Sequence, residues 1–200
     1  MGLSPLTMGL SPVVTHGQRA SKVHRALYNR SVELHQPAPD FKLPDLDGQI
    51  HCLHDYRGRI VILNFWSAEC PQCERVDHGL SACLREWDGR VILLTLVANV
   101  NESQEAISTA VRQRGLTPVL LANRSPVPEE YGAQTTPHLF VVDGSGILRY
   151  RGAFDDLSFR HRMPTKFFLK DAVEALLAGH LPEAAETAPY GCTIVRFVLE

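Results

Sequence analysis

The feature that most constrains this chain is an alternation. Two short runs rich in β-branched and other apolar residues, IVILNF at 60–65 and VILLTLV at 91–97, are separated by a stretch whose apolar residues recur at helical spacing. Each run is too short for a helix and almost without polar alternates, which predicts strands buried on both faces. Between them, 71–87 sets Val76, Leu80, Cys83, Leu84 and Trp87 on one helical face. A second helix is predicted over 101–115. It opens Asn-x-x-x-Glu, turns Ala106, Ile107, Ala110 and Val111 inward, and stops at Gly115. Residues 117–121 read as a third strand, parallel to the others because a helix precedes it. Residues 138–142 and 147–152, joined through Gly144-Ser145-Gly146, read as a β-hairpin, and 167–177 as a last helix ending at Gly179. Strands alternating with helices in this order predict an α/β sandwich with right-handed crossovers.

The rest of the chain frames that body. Pro37, Pro39 and Pro44 keep 36–48 extended up to a turn at Asp47-Gly48. Residues 1–35 read as a poorly ordered arm with a short helix around 20–28. The arm lacks the positive start and unbroken apolar centre of a signal peptide, so a cytoplasmic location is expected. Residues 36–180 form one domain, and 181–200 form a loop-rich tail carrying Cys192. Apolar residues make up 44% of the chain, ample for a core. A net charge of −2 without any basic stripe argues against nucleic acid. No run of 18 apolar residues is present to span a membrane.

Five cysteines, Cys52, Cys70, Cys73, Cys83 and Cys192, are an odd number in a chain too long for a disulfide scaffold. Cys70 follows a buried strand and opens a helix, where free N–H groups and the helix dipole favour a thiolate. Pro71 suits the first helical turn, where its missing N–H costs little. Cys73 lies one turn on, close enough to attack a mixed disulfide at Cys70. A zinc site needs four ligands, and the other cysteines are isolated, so no metal site is expected. Copper(I) held by both thiolates and His138 is an alternative. Cys83 falls on the apolar helix stripe and reads as core. Cys52, in HCLH between His51 and His54, reads as part of an ordinary strand or loop.

APDFKLPDLDG at 38–48, NFWSAECPQC at 64–73, the helix–strand unit at 101–121 and YGAQTTPHLFVVDGSGILRYRG at 131–152 come in a telling order. Together they resemble the thioredoxin superfamily, and within it the TlpA-like and redoxin branch that overlaps the alkyl hydroperoxide reductase family. The resemblance implies a thioredoxin-like three-layer sandwich, a central mixed sheet flanked by helices. It implies thiol–disulfide exchange with Cys70 as nucleophile and Cys73 as resolving thiol, without a prosthetic group. The partners it implies are a disulfide-containing protein substrate and a dithiol protein that donates electrons. It places a cis peptide bond at Thr136-Pro137, facing the cysteines, with the Thr136 backbone free to pair with a substrate strand. Pro71 and Trp66 would complete the groove wall.

Two residues depart from the common thioredoxin pattern. Asn64 stands where many thioredoxins carry a buried Asp, and Glu69 stands where they carry an aromatic residue. A carboxylate at 69 is expected to raise the Cys70 pKa. A thiol peroxidase is the nearest rival, since peroxiredoxins use a Pro-x-x-x-Thr/Ser-x-x-Cys frame. Ser67 fits its hydroxyl position but Leu63 replaces the proline, so the frame is half matched. Copper carriers of the superfamily use the wider Cys-x-x-x-Cys spacing. His138 is an auxiliary candidate that either tunes the thiols or sits on the surface at a strand start. Cys192 is another: it resolves or recharges the pair, or its segment merely docks through Tyr190, Ile194 and Val195, the reading the sequence favours.

Overall fold

A computed structural model describes residues 31–196. The arm expected over 1–35, with its short helix, lies outside the described residues except for its last five. Those five belong to the body: Val32 is buried, and its N–H donates to the Glu130 carbonyl at 2.9 Å.

The first elements among the described residues are a small hairpin, β1 (Lys42–Pro44) and β2 (Ile50–Cys52), and a 3-10 turn at Leu53–Tyr56. Strand β3 (Ile60–Trp66) leads into α1 (Pro71–Trp87), β4 (Val91–Val97), α2 (Gln104–Arg114) and β5 (Val119–Leu121). A single turn, α3 (Val127–Glu130), precedes β6 (Thr135–Thr136), β7 (His138–Val142), β8 (Leu148–Gly152), α4 (Phe168–Leu177) and β9 (Cys192–Thr193). The main sheet has the order β5-β4-β3-β7-β8. Strands β3, β4 and β5 are parallel, while β7 runs antiparallel to β3 and β8 antiparallel to β7. This is the expected mixed sheet of a thioredoxin-like α/β fold. Among the described residues no helix is long and apolar enough to cross a membrane.

Period-two alternation divides β3 between two cores. Ile60 and Ile62 pack with Val91, Leu139 and Tyr150 against Val76, Leu80 and Trp87 of α1 and Leu169 and Val173 of α4. Val61, Leu63 and Phe65 face the other way with Leu94, Leu96 and Phe140, onto Leu43, Leu53 and Tyr131. Helix α2 sets Ile107 and Ala110 against Trp66, Val97 and Val119, on the same side of the sheet as α1. The flanking layers are therefore unequal. Among the described residues the three long helices share one face, and the opposite face carries the β1–β2 hairpin, the 3-10 turn and α3. The strand order explains this. Steps from β3 to β4 to β5 go in one direction, so two right-handed crossovers put both helices on one side.

The bounds expected for the first helix and for the strand at 91–97 match the structure. The second helix starts later than its sequence suggested. Ser103, rather than Asn101, is its N-cap, with a side chain that accepts from the Ala106 N–H at 3.1 Å. Gly115 closes it in the left-handed region at φ 63°. Strand β5 begins only at Val119, after a cis Thr117-Pro118 bond.

Candidate active site

The site sits where β3 hands over to α1. Residues 67–69 form the link, and their polar groups converge on the buried carboxylate of Glu102. One carboxylate oxygen accepts from the Ser67 hydroxyl and from the Glu69 N–H at 3.2 Å, the other from the Ala68 N–H at 3.2 Å. Arg114, from the end of α2, donates to the Ala68 carbonyl at 2.7 Å and to Asp77 at 3.2 Å, with its guanidinium 5.4 Å from the Trp66 ring centroid. The Trp66 indole N–H donates to the same Asp77 oxygen at 2.9 Å. The segment carrying the cysteines is thus fixed by two charged side chains from outside β3 and α1.

Cys70 is the N-cap of α1, with extended backbone at φ −84°, ψ 117°, and Pro71 is the first helical residue. Cys73 N–H closes the first turn onto the Cys70 carbonyl at 3.0 Å. Across from them, Thr136-Pro137 is cis and buried. As a thiol, Cys70 Sγ donates to the Thr136 carbonyl at 2.9 Å. As a thiolate it meets first the thiol of Cys73, then that of Cys192, together with the backbone N–H groups of those two residues. These donors bring the Cys70 pKa down to about 4, against the opposing effect of burial. Cys73 moves the other way. Burial, its bond to Cys70 and the negative charges of Cys70 and Asp77 hold it well above an ordinary thiol.

The family model described as AhpC/TSA family matches residues 34–151, a span that contains β1 through β8 up to Arg151. The chain belongs to the AhpC/TSA family. The thiol-disulfide oxidoreductase ResA of Geobacillus thermodenitrificans is 33% identical over 117 residues, which are 58% of this chain and 67% of that protein. The thioredoxin-like protein YneN of Bacillus subtilis is 24% identical over 115 residues, 57% of this chain and 68% of the relative. Among solved structures, a hypothetical protein from Sinorhizobium meliloti superposes with a TM-score of 0.75 at 26% identity, covering 84% of this chain and 97% of that one. A putative thiol:disulfide interchange protein DsbE from Chlorobium tepidum shares the fold, with a TM-score of 0.59 at 19% identity over 74% of this chain and 98% of its own.

The structure brings Cys70, Cys73, Pro71, Thr136, Pro137 and Cys192 of this AhpC/TSA-family chain into one place. It corrects three expectations. Trp66 is fully buried beneath Arg114, so it supports the site from below and offers no groove wall. Glu69 is exposed, and its charge is not among the main influences on Cys70, whose pKa is lowered and not raised. His138 is buried, not at the surface. Its register partner is Phe65, so its ring lies on the face opposite α1, 4.5 Å from the Phe140 ring centroid. There Nδ1 accepts from the Gln134 N–H at 3.2 Å, and burial lowers its pKa to about 3. His138 therefore stays neutral and away from the thiols.

Asn64 is fully buried, and its amide has no protein partner among the described residues. Among the described residues one trio of His, Cys, Asp or Glu has ligand atoms within 4.8 Å of one another, Cys52, His54 and Asp55 at the end of β2. The three clustered cysteines form no such trio. Sequence reading passed over Glu102, Asp77 and Arg114. Asp77 was the readable one: Cys73, Asp77 and Leu80 share a helical face, so a carboxylate at 77 is carried inward.

Proposed function

We infer that this chain is a thiol–disulfide oxidoreductase with Cys70 as nucleophile and Cys73 as resolving thiol. The observation that carries the reading is the opposite treatment of two neighbouring sulfurs: Cys70 near pKa 4 at a helix N-terminus, Cys73 buried and held as a thiol. A ResA protein bearing that activity in its name is among the relatives. The Cys70 thiolate attacks one sulfur of a substrate disulfide, and the other substrate sulfur leaves as a thiolate and takes a proton. Cys73 then loses its proton and attacks Cys70 Sγ. The Cys70–Cys73 bond forms, the mixed disulfide breaks, and the substrate leaves as a dithiol carrying both electrons. A dithiol protein restores the pair by the reverse exchange.

The rival readings lose support at particular atoms. A peroxidatic role for Cys70 would use the Ser67 hydroxyl, which is committed to Glu102. A copper(I) site that includes His138 would need its ring on the other face of the sheet. The deciding experiment is a redox titration at pH 7 in dithiothreitol and glutathione buffers, with alkylation and peptide mass spectrometry. The expected result is one two-electron transition confined to Cys70 and Cys73. If both cysteines remain alkylatable in every buffer, the proposal fails.

A further inference from the structure

The groove beside Thr136 is already filled by the protein's own tail. Strand β9 pairs antiparallel with β6, Thr136 opposite Cys192 and Thr135 opposite Thr193. Strand addition at Thr136 is the pairing expected of a substrate peptide. The fit is close enough to need glycine: a Cβ on Gly191 would lie 2.2 Å from the Thr136 carbonyl oxygen and 3.0 Å from Pro137 Cδ. The strand is tied down on both sides. Upstream, the Thr187 N–H donates to the Arg151 carbonyl at 3.1 Å and the Arg151 N–H to the Ala185 carbonyl at 3.0 Å, while the Thr187 hydroxyl meets Tyr150 at 2.8 Å and the Ala153 N–H at 3.0 Å. Downstream, the Ile194 N–H donates to the Gln134 carbonyl at 3.3 Å, Val195 bonds Asn99 Oδ1 at 2.9 Å, and Arg196 pairs with Glu129 at 3.2 Å.

We propose that β9 is an internal substrate strand and that Cys192, held against Cys70 in the place of a substrate cysteine, is a third redox cysteine of this protein. The proposal rests on Cys70 being the nucleophile. Docking alone would need no thiol at 192, yet the half-buried Cys192 packs against the cluster that holds Cys70 and Cys73. In the oxidised protein, the Cys192 thiolate attacks Cys70 Sγ of the Cys70–Cys73 disulfide. The Cys70–Cys192 bond forms, the Cys70–Cys73 bond breaks, and Cys73 leaves as a thiolate and takes a proton. Two electrons stay within the protein, so the exchange needs no outside oxidant. It leaves Cys73 free and the strand covalently closed over the groove.

Charge times this step. In the reduced protein, burial and then the Cys70 thiolate beside it push the Cys192 pKa up to about 11, which keeps it a thiol. Once Cys70 is in a disulfide its charge is gone, and only burial still opposes ionisation of Cys192.

The test uses the full chain with Cys73→Ser, treated with oxidised glutathione at pH 8, quenched with N-ethylmaleimide and mapped by non-reducing peptide mass spectrometry. Cys70 first takes one glutathione, releasing the other. Cys192 then displaces the bound one, so both cysteine electrons end on two reduced glutathiones. The expected product is a Cys70–Cys192 cross-linked peptide, in about tenfold excess over glutathionylated Cys70, because the second step is intramolecular. Adding Cys192→Ser should leave one glutathione on Cys70. Adding Gly191→Ala should undock β9 and cut the cross-link about tenfold, with circular dichroism checking that each variant is folded. If Cys70 keeps its glutathione while Cys192 takes N-ethylmaleimide, the proposal is overturned and the oxidoreductase reading stands. A cross-link undiminished by Gly191→Ala also overturns it, since strand docking would not be what positions Cys192. If folded protein takes no glutathione at Cys70 in any variant, the oxidoreductase reading falls with it.

Discussion

Proton counting at the cysteine pair gives a sharp prediction, and the perturbation is pH. With Cys70 near pKa 4 and Cys73 well above an ordinary thiol, the reduced protein between pH 5 and 8 holds one thiolate and one thiol. Reduction of the disulfide then takes up two electrons and one proton. For a two-electron couple a tenfold change in equilibrium is about 30 mV, so the midpoint should fall by about 30 mV per pH unit. Two ordinary thiols would take up two protons and give about 59 mV. From pH 5 to 8 the totals are roughly 90 and 180 mV, far enough apart to measure. Below pH 4 the slope should steepen toward the two-proton value. The same depressed pKa stabilises the reduced fold. That contribution is complete above the ordinary thiol value of 9.0, shrinks as pH falls, and is gone below about 4. The assay equilibrates the protein in thiol buffers whose own potentials are corrected at each pH, then alkylates and weighs it. A slope near 59 mV per unit across pH 5–8 would mean that Cys70 is not a thiolate at neutral pH. The donors around Cys70 would then not hold it ionised.

Glu102→Gln replaces an acceptor-only carboxylate with an amide that has one acceptor, so at least one of the Ser67, Ala68 and Glu69 donors loses its partner. A buried group left unpaired costs about 1–3 kcal/mol. A thermal melt should show a Tm lower by roughly 2–10 °C, and an unchanged melt would remove Glu102 as the brace of this loop. Asp77→Asn removes a negative charge that helps push Cys73 up. The alkylation profile of Cys73 should therefore move to lower pH. A profile that stays in place would exclude Asp77 from the electrostatics of the pair.

The parts of the fold legible in the sequence are those fixed by local pattern. Strands β3 and β4 announce themselves as unbroken apolar runs, and α1 by its stripe and Pro71. The start of α2 was misplaced because Asn101 and Ser103 are both good caps, and only the carboxylate of Glu102, spent on the loop at 67–69, removes the earlier option. The strands β1, β2, β6 and β9 are two or three residues long. Strands so short owe their existence to distant partners, so no local periodicity marks them. The same limit applies to the site. Cys70 and Cys73 are visible from spacing, whereas Arg114 and Glu102 reach the site only through the packing of α2. Cys192 was legible as one that either joins the pair or merely docks, and the sequence favoured docking, because its position depends on the pairing of β9 with β6. His138 misled because adjacency to Pro137 in sequence says nothing about which face of β7 its ring takes.

The pairing of β9 with β6 also bears on how the protein comes into being. Synthesis runs from the N-terminus, so Cys70 and Cys73 leave the ribosome well before the segment that covers Thr136 and Pro137. A nascent chain that has built its sheet still lacks that cover, and small oxidants and foreign thiols meet the pair before the tail does. A bulky group fused shortly after Arg196 would crowd the pairing of β9 with β6, and redox measurements on such a fusion would report on a site whose closure has been altered.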